Sequence, residues 1–278
     1  SEYLSYFEGI KLFFISNLET QGIVTTLVND SLFFFACYAL GLIFTPRNGL
    51  RLLIFLSSFF ICNFILRNKN GKLFYNILFL INPLLFFIFI TDVRQAVAMS
   101  IFLISFNNEN KIKRIGGFIL ASAMHSGYFL ISFFFIFSQF LMRFKSNIYN
   151  KTLIFFTSYL GFTISFFSIA SIIPARQIGE YAKKIQYMEM SSLGFILWFI
   201  ILCFFLIKDD RDLNKNSTYI FSIGIIIFYL VSYYFLPFSM RVLEASLPLI
   251  LISTNYLKSL SRQTIVFLIS LQGLYIFL

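Results

Sequence analysis

Long apolar runs, separated by short polar breaks, organise this chain. They cover about residues 27–44, 52–66, 73–91, 93–106, 112–124, 127–142, 152–173, 191–207, 218–236, 242–257 and 264–278. None alternates apolar and polar at period two, so the runs predict helices rather than the strands of a barrel. A full membrane crossing takes about 20 residues, and several of these runs are shorter. One break has a pattern of its own. In "PARQIGEYAKKIQYMEM" (174–190), Ile178, Tyr181, Ile185 and Met188 fall on one stripe, and Pro174 suits a first helical position. Arg176 and Glu180, and Glu180 and Lys184, are four apart. This segment reads as an amphipathic helix on the membrane surface. The fold expected is therefore all-α: a polytopic membrane protein of about eleven transmembrane or half-membrane helices, with a short amphipathic outer-face helix near 174–190. Residues 1–278 form a single integral membrane domain on this reading. Residues 1–26 hold apolar stretches too short to place. The chain opens on Ser1 and stops inside an apolar run, which reads as a piece of a longer protein whose first helix lies outside it.

Charge sets the orientation. The breaks 67–72, 107–114, 143–151 and 208–217 each carry three basic residues, and 258–262 carries two. Placing these five on the cytoplasmic side satisfies the positive-inside rule and strict alternation of the runs between them. The breaks 45–51, 92–95, 125–127, 174–190 and 236–241 then face outward. Composition agrees: the chain is 59% hydrophobic and 12% charged, against about one quarter charged in soluble domains. The net charge of +10 lies between apolar runs and is a topology signal, not a nucleic-acid footprint. The partner it implies is the lipid bilayer. Cys37, Cys62 and Cys203 lie in separate apolar runs and there is one histidine, so neither a disulfide framework nor a metal site is expected. No cofactor motif is present.

Candidate chemistry gathers where short runs meet outward breaks. From Val93 to Phe106 is 14 residues, about 21 Å of helix at 1.5 Å per residue, against about 30 Å of hydrocarbon. The run ending at His125 is equally short. With loop 107–114 at the cytoplasmic interface, Arg94 and His125 fall below the outer surface. Burying a guanidinium there costs on the order of 2.5–3.5 kcal/mol unless water reaches it. Both residues therefore point to one outward-facing cavity. The competing reading for Arg94 is snorkelling beside Asp92, and for His125 a bond to a nearby carbonyl. In "LPFSMRVLEASLPL" (236–249), Arg241 and Glu244 are three apart and share a helix face, as a local ion pair or as a second outward guanidinium. Several arginines on one cavity suit a dianion such as pyrophosphate, because the planar fork bonds phosphate oxygens in pairs. The "DDRD" of 209–212 reads as a solvated loop rather than a metal site.

"VRQAVAMSIFLISF", the basic "NNENKIKR" and "GFILASAMHSGYFLISFFFI" together resemble the Wzy-type polysaccharide polymerases, specifically their EpsG-like group. The residues that carry the resemblance are Arg94, Gln95 and Ala98, then Ala121, Ser122 and His125, with Tyr181 and Arg241 as looser matches. The resemblance implies an enzyme of the bacterial inner (cytoplasmic) membrane with its active site facing the periplasm. It would polymerise undecaprenyl-pyrophosphate-linked repeat units into O-antigen, capsule or exopolysaccharide, without a nucleotide sugar. A chain-length regulator is the protein partner it implies. Arg94, His125 and Arg241 become the catalytic candidates: the arginines on the leaving pyrophosphate, the imidazole as base. Asp92 and Glu244 are rival bases or, with Gln95, substrate contacts. Arg176, Lys183 and Lys184 would hold a second lipid pyrophosphate, with Tyr181 against a sugar; simple lipid anchoring is the alternative. A lipid-linked polysaccharide ligase and a transporter or flippase of lipid-linked glycans are the rival functions.

Overall fold

Short polar side chains fix where the helices begin. The computed structural model describes Leu4, Phe7 and residues 31–68, 73–170, 192–207, 213, 216–236 and 238–277. Among them are thirteen α-helices and a 3-10 turn, and no strand. They are α1 Ser31–Gly41, α2 Pro46–Leu66, α3 Leu73–Leu80, α4 Pro83–Thr91, α5 Val93–Phe106, α6 Lys111–Met124, α7 Gly127–Met142, α8 Ile148–Ala170, α9 Ser192–Leu206, α10 Ser217–Ser232, α11 Ser239–Ala245, α12 Leu247–Ser253 and α13 Ser259–Phe277, with the 3-10 turn at Thr254–Tyr256 between the last two. Asp92, Asn110 and Asn216 each accept a backbone N–H of the helix that follows, at α5, α6 and α10. Such caps satisfy donors that the first turn leaves open. The expected runs 93–106 and 127–142 coincide with α5 and α7.

Three expectations are corrected. Helix α2 begins at Pro46, not residue 52, because proline fits the first helical position and carries Arg47 and Arg51 into the helix. The run 73–91 is two helices: Asn82 interrupts it, its Oδ1 accepting from Leu84 N at 3.0 Å and its Nδ2 donating to Ser270 Oγ at 3.2 Å. Pro83 has no N–H to continue the ladder from α3. The run 242–257 is likewise divided into α11, α12 and the 3-10 turn, with Pro248 at the start of α12. The amphipathic segment 174–190 and the "DDRD" loop lie outside the described residues.

The described chain forms two compact units, one of residues 1–67 and 85–132, the other of residues 68–84 and 133–278. Helix α5 is central to the first. Val93 and Gln95–Ser100 are all buried on it, and it packs against α2 and α6. Val93 and Val97 join Phe33, Cys37 and Leu53 of α1 and α2 in its core. Small residues let α5 and α6 meet closely. A Cβ on Gly117 would lie 1.7 Å from Ser105 Oγ, so only glycine fits there. One turn on, Phe102 and Phe118 stack with centroids 4.7 Å apart.

Helix α10 has the same place in the second unit. It is buried from Tyr219 through Tyr229 and packs on α8, α9, α11 and α12. Its Gly224 faces Phe155 of α8, 2.9 Å from where a Cβ would stand. Ser222 and Ser253 share a hydrogen bond of 2.7 Å between α10 and α12. Just beyond that end of α12, Arg262 donates to the carbonyls of Thr254, Asn255 and Leu257 and stacks 4.6 Å over the Tyr75 ring. One guanidinium thus closes the 3-10 turn against α3 and α13.

The outer faces are apolar. Phe129, Phe133, Ile136 and Phe140 are all exposed and fall at spacings of three and four along α7. Phe55 and Phe59 on α2, and Ile196, Phe199 and Ile200 on α9, are exposed too. Apolar patches of this extent are surfaces for lipid, not water. Among the described residues, α2 alone is long and apolar enough to cross a membrane as a single helix, and α3 with α4, bent by 46° at their break, pass together as a broken span or a re-entrant loop. The apolar helices α1, α5, α7, α9, α10 and α12 are shorter than a full crossing. The protein is an all-α polytopic membrane protein.

Candidate functional site

The site begins with the end of α4. There the backbone of Asp92 leaves helical geometry (φ −125°, ψ 70°), and its carboxylate accepts from Gln95 N at 3.3 Å. Asp92 is therefore the N-cap of α5. That gives the acid a local task that its place in an apolar tract did not disclose. The cap orients the first turn, which carries Arg94 and Gln95. Gln95 is buried, 1% exposed, and Arg94 is half-buried with its Nε atom sealed from solvent. The Arg94 guanidinium lies within electrostatic range of Cys37 on α1. Helix α5 is 14 residues long, as expected, which is about 21 Å against a hydrocarbon core of about 30 Å.

His125 closes α6, also 14 residues long. Its backbone is extended (φ −151°, ψ 117°) while its N–H still reaches Ala121 O at 3.0 Å. Its own carbonyl accepts from Tyr128 N at 3.0 Å, which starts α7. Gly127 lies under the imidazole: a Cβ there would be 3.5 Å from Nε2. The histidine therefore stands at a tight helix-to-helix corner, half-buried and held by backbone bonds on both sides.

Tyr128 joins the two arms. Its ring is fully buried, 5.5 Å from Phe102 of α5 and 6.5 Å from the His125 ring. Its hydroxyl lies in the field of the Asp92 carboxylate. Asp92, His125 and Tyr128 thus form one neighbourhood in the first unit, with Arg94 and Gln95 on the turn that Asp92 caps. Sequence reasoning did not find Tyr128. The available signal was a single phenol in the run "YFLISFFFIF", placed three residues after the histidine, where the first turn of a following helix must return toward it.

The remaining candidates lie elsewhere. Arg241 and Glu244 are on α11 of the second unit, Arg241 exposed and Glu244 half-buried, within electrostatic reach of Tyr229. Arg176, Tyr181, Lys183 and Lys184 lie outside the described residues. Among the described residues no group of three or more His, Cys, Asp or Glu is placed to hold a metal ion.

A capped arginine turn, a cornered histidine and a buried tyrosine make a polar end on two half-length helices inside an apolar bundle. This arrangement can hold an anion and accept a proton. No curated protein and no solved structure matches the chain. The family model does: it covers residues 1–278, and the chain belongs to the EpsG family, membrane polymerases of polysaccharide biosynthesis.

Proposed function

We propose that the protein polymerises undecaprenyl-pyrophosphate-linked repeat units at the periplasmic face of the bacterial inner membrane. The observation that carries this reading is the placement of Arg94. A guanidinium with a buried Nε stands in the first turn of a helix too short to span the bilayer, oriented by the Asp92 cap.

In the reaction, a hydroxyl oxygen of the incoming repeat unit attacks the anomeric carbon of the growing glycan. The bond from that carbon to the lipid pyrophosphate breaks, and the pyrophosphate leaves with the electron pair. Negative charge grows on its oxygens as the bond lengthens. A fixed guanidinium in a water-poor site stabilises that charge more in the transition state than in the ground state, which is where such groups accelerate reactions most. Arg94 has this role, with Gln95 beside it as a substrate contact. The acceptor hydroxyl loses its proton to His125, the side chain that exchanges protons most readily near neutrality. Asp92 holds the arginine turn and, through Tyr128, the histidine corner. In the second unit, Arg241 is a phosphate contact and Glu244 a sugar contact. Arg176, Lys183 and Lys184 engage the second lipid pyrophosphate, and Tyr181 a sugar face.

The test is display of surface polysaccharide from cells carrying Arg94→Ala or Arg94→Lys. A polymerase defect leaves single repeat units on the surface lipid. A ligase defect leaves long polymer still on undecaprenyl pyrophosphate, and a transport defect leaves neither. Normal long chains with Arg94→Ala would remove the catalytic role. Lysine should not rescue it, because a point charge cannot reproduce the two-pronged fork.

A further inference from the structure

At the end of α10 in the second unit lies a group of aromatic side chains that the reaction above does not use. Tyr229 stands 6.1 Å from the ring of Trp198 on α9 and 5.1 Å from Tyr233. Tyr233 meets Tyr234 at 4.9 Å, nearly perpendicular. Phe195 of α9 lies 5.8 Å from Tyr233 and 5.6 Å from Tyr234. The rings run from Trp198, fully buried, out to Tyr234, 50% exposed.

The polar atoms are equally ordered. The Tyr229 and Tyr233 side chains are hydrogen-bonded to each other. Both hydroxyls press on α9 at Gly194, where a Cβ would lie 3.3 Å from the Tyr233 oxygen and 3.4 Å from that of Tyr229. Gln272 of α13 is next to them: its Oε1 accepts from Trp198 Nε1 at 2.7 Å, and its Nε2 lies 4.0 Å from the same Cβ position. The Glu244 carboxylate reaches Tyr229 electrostatically.

Two ordinary reasons for such a cluster fail. An interfacial belt puts rings in lipid and hydroxyls toward water, yet Tyr229 and Tyr233 are buried, 1% and 9% exposed, with their hydroxyls turned onto a helix backbone. Plain packing in this chain is done by phenylalanine, 41 residues against 15 tyrosines, and burying a hydroxyl costs free energy unless it is bonded. Tyr229 and Tyr233 are here for their oxygens as well as their rings.

We infer that this cluster is a sugar-binding subsite for a pyranose ring of the glycan whose polymerisation is proposed above, and it rests on that reading. A pyranose offers a face of C–H bonds and a rim of hydroxyls that both donate and accept. Tyr234 and Phe195, inclined at 36°, supply aromatic faces for the first. The half-buried Glu244 carboxylate supplies an acceptor for the second, and the bonded Tyr229, Tyr233 and Gln272 behind the rings hold them in place. Gly194 lets the phenols seat against α9, so the aromatic faces are fixed before the sugar arrives and little ordering remains to be done on binding.

Trp198 is the one tryptophan in the chain, so its fluorescence reports this cluster alone. The experiment titrates the full chain in nanodiscs with lipid-free repeat-unit oligosaccharide hydrolysed from the producing cell's own polysaccharide. A saturable change in Trp198 emission is expected. Tyr234→Ala, at an exposed position that leaves the core intact, should raise the apparent Kd about tenfold, as loss of one aromatic anchor does; Tyr234→Phe should leave it within about twofold. A wild-type protein whose emission does not respond overturns the subsite. So does a response that Tyr234→Ala leaves unchanged, or one that follows the lipid headgroups rather than the added sugar. Polymerisation measured on the same preparations supplied with lipid-linked repeat units separates this inference from the reading beneath it. Binding without polymerisation keeps the subsite and removes the reaction, whereas polymerisation with an unaltered Tyr234→Ala titration removes the subsite alone.

Discussion

Asp92 has two properties that substitution can divide. As an N-cap it needs only a short side-chain acceptor, and asparagine serves as well as aspartate. As a charge acting on Tyr128 it needs the carboxylate. Asp92→Ala should lower unfolding stability by about 1 kcal/mol, read from thermal melting in detergent. Asp92→Asn should melt within a few tenths of a kcal/mol of wild type, yet make shorter surface glycans. Equal polymer from the asparagine variant would reduce Asp92 to a cap. Tyr128 is divided in the same way. Tyr128→Phe keeps the ring against Phe102 and His125 and removes one hydroxyl. The expected cost is about tenfold in polymerisation rate, the worth of one buried hydrogen-bonding group near 1–1.5 kcal/mol, with an unchanged melting temperature. An unchanged rate would make Tyr128 a packing residue only.

At the scale of helices, close approach is the governing constraint. Gly117 and Ser105 let α5 and α6 touch, and a Cβ at position 117 would overlap the serine side chain. Gly117→Val should destabilise the first unit by on the order of 1–3 kcal/mol, as overpacking does. Ser105→Gly in the same chain should restore part of the loss, and a double-mutant cycle measures that coupling. Arg262 sets a second constraint, because it serves three carbonyls and one ring at once. Arg262→Lys should cost about 2 kcal/mol or more, since an ammonium cannot span the set and buried carbonyls lose their donor. These contacts also mark what could be read from the chain and what could not. Helices α5 and α7 were legible to the residue because a polar break stands at both ends of each. The interruptions at Asn82 and Pro248 lie inside apolar runs, where a hydropathy window averages over a single proline. The start of α2 was hidden by the opposite effect, two arginines that look like a loop but sit on an exposed helical turn. The places of Arg94 and His125 at the ends of two 14-residue helices were legible from the spacing of the polar breaks. Tyr128 was not, because its role comes from a corner that brings residue 128 back toward residue 92.

For the proposed reaction, the Asp92–His125 end of the half-length helices must lie on the side where lipid-linked glycans would be elongated. The basic break 107–114 lies at the other end of both α5 and α6, so positive-inside bias assigns that end to the cytoplasm. A cysteine at each end of α6 tests the assignment within one unit. Glu109 is exposed just before α6, and Ser126 is half-buried in the corner after it. Intact cells treated with a charged, membrane-impermeant maleimide should label Ser126→Cys. They should leave Glu109→Cys unmodified until the membrane is opened. The unmutated chain gives the background: Cys37 is buried, and Cys62 and Cys203 lie within apolar helices, where a charged reagent does not enter. Prior addition of the cell's lipid-linked repeat units should slow labelling at Ser126→Cys, because the glycan and the reagent would occupy the same corner. The reverse pattern, with Glu109→Cys labelled from outside, would face Arg94 and His125 to the cytoplasm. No lipid-linked glycan on the outer leaflet could then reach them, and the short helices would need a different purpose.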